Sequence, residues 1–174
     1  MTSADQTPTD LRSFVGRWVL DPEQTSIVFR TKAVWVFPAK GTAKAIEGSG
    51  TVGDDGSLSG ALVIDAASID TKNKKRDAHL RTADFFEVEK FPTITFETTS
   101  GRLADSGKVE LAGSFTVHGQ TRPLTLVADV NAAGDTATVS TEVDIDRSDW
   151  GLSLTPFGAG LKNHVAITAR FNKV

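Results

Sequence analysis

The chain has 174 residues, of which 39% are hydrophobic and 24% charged, as is typical of one soluble globular domain with its own core. The formal net charge of -3 argues against a general nucleic-acid binder, and the absence of cysteine excludes disulfides and thiolate chemistry. No window is apolar for long enough to span a membrane, and no basic region precedes an apolar run near the start. We therefore expect a cytoplasmic protein.

Residues 1–12 are rich in Thr, Ser, Asp and Pro and are predicted to form a disordered tail before a single domain, residues 13–174. From Trp18 onward, apolar and polar residues alternate between turn-forming clusters, which indicates strands with one face to bury. The predicted strands are 18–20, 26–33, 43–51, 57–64, 93–98, 108–118, 122–130, 136–145 and 164–171. Hairpins are predicted at 54–56, 119–121 and 133–135. Regularly spaced antiparallel strands predict an all-β sandwich or barrel.

One helical segment interrupts this pattern, between Asp70 and Phe86. Asn73 is suited to cap a helix over residues 74–81, because that stretch contains neither Gly nor Pro. Thr82 or Asp84 is suited to cap a second short turn that carries Phe85 and Phe86. Since the segment connects two strands, we expect it to close one end of a barrel.

Some stretches partly match cofactor-binding or metal-binding motifs, but the residues around them do not fit such sites. Residues 48–53 match a dinucleotide-binding pattern, yet a turn follows them where a helix is required. The acidic run 144–149 lacks the glycine and the terminal glutamate of a calcium loop. His79, His118 and His164 lack metal-ligand spacing, and we favour hydrogen-bonded structural roles for them. The sequence predicts no cofactor, no metal site and no catalysis.

The densest basic run, residues 71–76, is suited to an anionic headgroup or a membrane surface. A solvated helix face is the simpler interpretation, and we favour it.

Large aromatic residues fall where a barrel has its mouth. For any single ring, core packing is the standard explanation. A closed barrel of roughly eight strands, however, holds either its own side chains or one elongated ligand. Apolar rings at the mouth favour the ligand. The rings in predicted connections or strand ends are Trp35, Phe37, Phe85, Phe86 and Phe157.

The stretch IDTKNKKRDAHLRTADFFEVEKFPTITFE, residues 69–97, resembles the signature of the YceI-like family. Three further matches stand in the same order: WVLDP at 18–22, GSFTVHG at 113–119 and RSDWG at 147–151. Together they cover about residues 18–171, nearly the whole predicted domain.

The resemblance implies an extended antiparallel barrel similar to the lipocalins, with a short helical segment at one end and a long apolar tunnel. In the family this tunnel holds a polyisoprenoid or related amphiphilic lipid, such as an isoprenoid quinone, for storage, transport or sensing, without turnover. Transient membrane contact and a homodimer are left open. The predicted ligand-binding residues are Trp35, Phe37, Ile69, Phe85, Phe86, Phe91, Ile94, Phe96, Phe115, Val117, Trp150, Leu152 and Phe157.

One departure from the family pattern concerns the tunnel. The family places a phenylalanine after Lys40-Gly41-Thr42, where this chain has Ala43. If that side chain points inward, we expect a wider tunnel or one shaped for a different tail. Many relatives are also exported, whereas the start of this chain carries no such signal.

The polar residues of the signature are predicted to hold the helical segment in place. We expect Asp77 to accept hydrogen bonds from Arg76 or Arg81, and His79 to cap a carbonyl.

Two other functions stay open. One is an enzyme acting on a small isoprenoid or apolar substrate, with His118 or His164 as the base inside the cavity. The other is a stress-related barrel that is packed solid and acts through a protein partner.

Overall fold

The computed structural model describes residues 11–31, 39–104, 108–155 and 160–174. The strands are β1 (Gly16–Thr31), β2 (Ala39–Val52), β3 (Leu58–Asp70), β4 (Thr93–Leu103), β5 (Val109–Val117), β6 (Gln120–Ala133), β7 (Thr136–Asp146) and β8 (Lys162–Lys173). The helices of the described residues are the α-helix α1 (Lys74–Leu80) and the 3₁₀ helices η1 (Leu11–Phe14) and η2 (Arg147–Trp150). None of them is long and apolar enough to cross a membrane.

Each strand pairs antiparallel with the next, and β8 pairs with β1, so the sheet closes into an eight-stranded barrel. Closure leaves no unpaired sheet edge among the described strands. The predicted all-β antiparallel barrel with a short helical segment at one end is confirmed. The three predicted hairpin turns also fall where consecutive strands join, although Gln120, Thr121 and Ala133 belong to β6.

The first strand differs from the prediction. The segments predicted separately as 18–20 and 26–33 belong to one strand, β1, as far as Thr31; residues 32–33 lie outside the described part of the chain. The pairing register shifts between Asp21 and Ser26, and the Thr25 hydroxyl donates to the Asp21 carbonyl at 2.8 Å. Such a bulge accommodates Pro22 while pairing continues on both sides.

The antiparallel order gives the barrel two distinct ends. All odd-numbered strands finish at the end that carries α1 and η2, here called the α1 end. Long connections lie there, 71–92 and 147–161. The opposite end, here called the η1 end, has short turns between β2 and β3 and between β6 and β7. The α1 end therefore offers most of the irregular chain from which a site can be built.

The η1 end is closed by the chain that precedes β1. Leu11 and Phe14 are buried in a cluster with Val52 and Val109, and the Trp18 indole N–H donates to the Phe14 carbonyl at 2.9 Å. The folded part thus includes Leu11, which the sequence assigned to the tail of residues 1–12. Two apolar residues three positions apart were the available signal, because they share one face of a helical turn.

Candidate functional site

A cavity of about 700 Å³, here called the main cavity, lies inside the barrel at the α1 end. This volume falls within the range of sites that hold one small molecule. Most of the lining is apolar and comes from the inward faces of the strands, from α1 and from the connections beside it. The apolar lining residues are Ile27, Phe29, Ala39, Ala43, Ile64, Ile69, Leu80, Phe85, Phe86, Ile94, Phe115, Val117, Ile145, Trp150, Leu152 and Val165.

Thr71 organises the helical segment at the edge of the main cavity. Its backbone N–H and its hydroxyl donate to the buried carboxylate of Asp77, at 3.0 and 2.5 Å. Its hydroxyl oxygen and its carbonyl accept from Nε and Nη2 of Arg76, at 2.7 and 2.8 Å. The Asn73 side chain accepts from the Arg76 backbone N–H, which confirms the predicted helix cap. Local hydrogen bonds therefore fix α1 against the barrel.

The predicted partners within this segment were wrong. Asp77 bonds to Thr71, and Arg81 donates instead to the Ala67 carbonyl at 3.1 Å. His79 pairs through Nε2 with the exposed Asp84 carboxylate at 2.8 Å. The run of charges in the sequence did not reveal that Thr71 would satisfy both Arg76 and Asp77.

Phe85 and Phe86 line the main cavity from the connector after α1. Phe85 is 5% exposed, with the His79 ring edge-on at 5.2 Å and the Arg147 guanidinium 5.7 Å above its face. Phe86 is half-buried and packs against the barrel core. These two adjacent phenylalanines occur in a connector because the connector forms part of the cavity wall.

The η2 turn supplies another part of the wall. Asp146 caps it by accepting from the Ser148 N–H at 3.0 Å, and hydrogen bonds from Ser148 hold the pKa of Asp146 below its ordinary value. Trp150 is buried, and its indole N–H donates to the Phe115 carbonyl at 2.9 Å. The Trp150 ring meets the Phe115 ring edge-on at 5.3 Å. The run 144–149 is thus a strand end followed by a capped turn.

Arg147 enters the main cavity from the same turn. Its Nε donates to the Gly160 carbonyl at 3.2 Å and its Nη1 to the Leu152 carbonyl at 2.5 Å. Burial lowers the pKa of Arg147 below its ordinary value, and the Asp146 carboxylate opposes this shift. Guanidinium nevertheless stays charged at neutral pH, so the cavity wall carries a cation.

Small residues on β2 leave space in the wall formed by β1 and β2. A Cβ at Gly41 would collide with the Phe29 ring, so glycine allows this ring to lie across β2. Ala43, the next inward residue of β2, lines the main cavity. The position at which the sequence departs from the family pattern therefore faces inward, and its small side chain leaves room in the cavity.

A second, smaller cavity of about 160 Å³, here called the end cavity, lies toward the η1 end. Phe96, Leu111 and Ile167 contribute to its apolar wall, and Leu11 and Phe14 of η1 close it. The main and end cavities follow one another along the same strands. On β8, Val165 lines the first and Ile167 the second, with one outward residue between them.

The structure brings most of the predicted ligand-binding residues together. Phe96 lines the end cavity, and Phe91 lines neither cavity. The Phe91 ring instead packs edge-on against His118 at 4.9 Å and covers the turn at Gly119. Trp35, Phe37 and Phe157 lie outside the described residues. The predicted residues that line the main cavity are Ile69, Phe85, Phe86, Ile94, Phe115, Val117, Trp150 and Leu152.

Sequence reasoning missed two groups of lining residues. The alternation of strands could have supplied the first, which comprises Ile27, Phe29, Ile64, Ile145 and Val165. No sequence signal distinguished the second, because its polar members lie in irregular chain or at strand ends. The polar lining residues are Thr31, Thr71, Asn73, Lys75, Arg76, His79, Arg147 and Asn163.

Neither histidine required by the enzyme alternative lines a described cavity. His118 pairs with Glu87 at 3.1 Å, and His164 lies outside the barrel with Asp144 at 2.8 Å. His79 lines the main cavity at its edge, beside Asp84. Among the described residues, no three His, Cys, Asp or Glu side chains converge as metal ligands would. A barrel packed solid, the third alternative, is incompatible with the main cavity.

The pattern of the YceI-like domain matches residues 18–172, most of the chain. The chain belongs to the YceI-like family. The resemblance of residues 69–97 to the signature of that family is therefore confirmed.

Among its relatives are a UPF0312 protein of Vibrio vulnificus strain YJ016 and the protein YceI of Escherichia coli O157:H7. The Vibrio protein is 38% identical over 73 residues, 42% of this chain and 39% of its own length. The Escherichia protein is 34% identical over 103 residues, 58% of this chain and 52% of its own length. The chain thus spans about half or less of the curated relatives that it matches.

Solved structures share the YceI-like barrel at low sequence identity. Burkholderia cenocepacia BcnA superposes with a TM-score of 0.76 at 19% identity, over 87% of this chain and 98% of that one. A domain from Saccharophagus degradans, described as polyisoprenoid-binding, gives 0.72 at 16% identity, over 90% and 98%. A Campylobacter jejuni YCEI mutant gives 0.65 at 22%, over 82% and 90%. At these identities the likeness establishes the YceI-like fold.

Proposed function

We propose that the barrel binds one long apolar or amphiphilic lipid, of the polyisoprenoid or isoprenoid-quinone type, for storage, transport or sensing and without turnover. The observation that carries the proposal is the main cavity, about 700 Å³ lined mostly by aliphatic and aromatic side chains. The Saccharophagus degradans domain of the same fold, described as polyisoprenoid-binding, adds support. The tail would lie among Ile69, Phe85, Phe86, Ile94, Phe115, Val117, Trp150 and Leu152, with Phe96 beyond them.

The driving force would be removal of hydrocarbon from water. Each buried methylene contributes about 0.8 kcal/mol, so a long tail supplies ample affinity after the entropic cost of association. The polar lining lies at the α1 end, where β1, β3 and β7 finish and β8 begins. An amphiphile would therefore place its tail toward the η1 end and its head among these polar groups.

The test is organic extraction of the freshly purified protein followed by mass spectrometry, with native mass spectrometry of the same preparation. We expect one lipid per chain. The variant Ala43→Phe should retain less lipid, because its ring would occupy the main cavity. Displacing even two methylene groups should weaken binding roughly tenfold, at about 0.8 kcal/mol each.

Ala166→Phe is the matched control, since Ala166 lies between Val165 and Ile167 and so faces outward from β8. It should retain as much lipid as the unmodified protein. Repeated recovery of folded protein without lipid, and without uptake of added lipid, would contradict the proposal. Native mass spectrometry also reports whether the chain forms the homodimer that the sequence left open. The cytoplasmic location stays a prediction for cell fractionation to test.

A further inference from the structure

The charged residues that line the main cavity are all basic, although the chain as a whole has more acidic than basic residues. The sequence contains 22 Asp and Glu against 19 Lys and Arg. Lys75, Arg76 and Arg147 nevertheless line the main cavity, and no described lining residue is acidic. Residues 32–38 and 156–159 lie outside the described part of the chain, and their sequence contains no acidic residue. The excess of positive charge is therefore local to the main cavity and does not follow from the overall composition.

Four carboxylates near the α1 end interact with other groups of the protein. Asp70 pairs with Lys72 at 3.2 Å, and Asp84 pairs with His79 at 2.8 Å. Asp77 is buried behind Thr71 and accepts its N–H and hydroxyl. Asp146 caps η2. None of these four carboxylates lines the main cavity.

Arg76 is held in place without a direct carboxylate partner. Both described hydrogen bonds of its guanidinium go to neutral acceptors on Thr71, at 2.7 and 2.8 Å. Asp77 lies one hydrogen bond further on and offsets part of the Arg76 charge. Lys75, the preceding residue, is exposed like Arg76 and pairs with no carboxylate among the described residues. Together they present positive charge where the polar lining meets the apolar wall.

We propose that the main cavity selects an amphiphile with an anionic headgroup, a carboxylate or a phosphate, which binds at the α1 end against Lys75 and Arg76. This inference rests on the proposed function and specifies the class of its ligand. The head would replace water around two cations, while the tail extends toward the end cavity. Because Lys75 is exposed, the attraction is screened by solvent and weakens as salt increases. We expect about a tenfold preference over an uncharged head at low ionic strength.

The test uses two pairs of probes with identical tails, so that only the head differs. Geranylgeranyl phosphate is compared with geranylgeraniol, and palmitate with hexadecanol, by displacement of a fluorescent apolar dye from delipidated protein. The anionic member of at least one pair should bind about tenfold more tightly at low salt. A preference in the first pair alone identifies a prenyl phosphate, and a preference in both identifies anionic heads in general.

Removing the charges should abolish the preference. Lys75→Gln should reduce the preference for the anionic probes over the alcohols, and the double variant with Arg76→Gln should bring the anionic probes to the affinity that the same variant has for the alcohols. The Lys75 side chain makes no described hydrogen bond. Lys75→Gln alone therefore still tests the inference if Arg76→Gln loosens α1. Lys44→Gln, which removes one exposed charge outside the cavity, should leave the preference intact.

The outcomes separate this inference from the proposed function. Equal affinity for the anionic and neutral members of both pairs overturns the headgroup inference and leaves lipid binding standing. An anionic preference that persists in the Lys75 and Arg76 variants also overturns it, because another group would then supply the charge. Binding of none of the four probes overturns the proposed function itself.

Discussion

At the scale of single residues, Thr71 and Asp77 determine whether α1 stays against the barrel. Asp77 is 7% exposed and accepts both the N–H and the hydroxyl of Thr71. Asp77→Ala would leave these buried donors without an acceptor. We expect the free energy of unfolding to fall by about 1–3 kcal/mol, measured from the midpoint of urea denaturation. Asp77→Asn should lose less, since its amide oxygen still accepts.

Asp84→Ala is the matched control for this prediction. Asp84 belongs to the same connector, but its pairing with His79 is exposed to solvent, where ion pairs contribute at most about 1 kcal/mol. Equal losses in the Asp77 and Asp84 variants would show that the bonds to Thr71 do not stabilise the fold. A larger loss for Asp77→Ala, together with faster release of bound lipid, is the expected result.

Some of the residues that line the site could be predicted from the sequence, and others could not. Phe85 and Phe86 were predictable as lining residues because paired rings on a connector have no place in strand alternation. That Lys75 and Arg76 line the main cavity was not predictable, since a basic run carries no information on which side chains face a cavity. In the sequence, Phe91 could not be distinguished from the phenylalanines that line the cavities, yet its ring covers the turn at Gly119.

At the scale of elements, the pairing of β7 and β8 contains a titratable contact. His164 on β8 bonds through Nδ1 to Asp144 at 2.8 Å, and its Nε2 lies 3.5 Å from Glu142, both on β7. The hydrogen bond with Asp144, and then that with Glu142, raises the pKa of His164 above its ordinary value of 6.5. A raised pKa in the folded state means that the contact stabilises the protein below pH 6.5 and that this contribution disappears as pH rises through the folded value.

The variant His164→Gln should therefore lower the Tm relative to the unmodified protein at pH 5.5–6, and the difference should shrink as pH rises above 6.5 through the raised pKa of His164. Thermal unfolding followed by circular dichroism across this range measures it. Asp144→Asn should show a similar pH dependence, because it removes the carboxylate charge that favours the protonated His164 ring. A Tm difference that is constant with pH would instead assign the effect to packing.

The elements also show where local pattern suffices and where it does not. The strands from β2 to β8 were predictable in number and order, because alternation with period two indicates each of them. The ends were less predictable: β3 continues to Asp70 and β4 to Leu103, beyond the predicted ends at 64 and 98. The pattern failed for β1, since Pro22 and the polar residues around it resemble a loop, whereas pairing with both β2 and β8 continues the strand. It failed again for η1, whose Leu11 and Phe14 are buried only because the barrel has an open end to fill.

At the scale of the whole molecule, the two cavities form successive compartments of one barrel. The inward residues of β8 from Asn163 to Phe171 line first the main and then the end cavity. Eight residue steps at about 3.3 Å, tilted by roughly 40°, correspond to about 20 Å along the barrel axis. Phe115 lines the main cavity, and its cross-strand partner Phe96 lines the end cavity. These two rings stand at the boundary between the compartments.

Phe96 is therefore expected to limit the length of the bound tail. In the unmodified protein, affinity should rise roughly fourfold per methylene, at about 0.8 kcal/mol each, until the tail reaches this boundary, and then level off. Phe96→Ala, or Phe96→Leu if the larger change unfolds the barrel, should move that plateau to longer tails by opening the end cavity. A homologous series of fatty alcohols in the dye-displacement assay measures the plateau. Thr95→Ala, on the outward face of β4, should leave it in place, and an identical plateau in the Phe96 variants would show that the two compartments act separately.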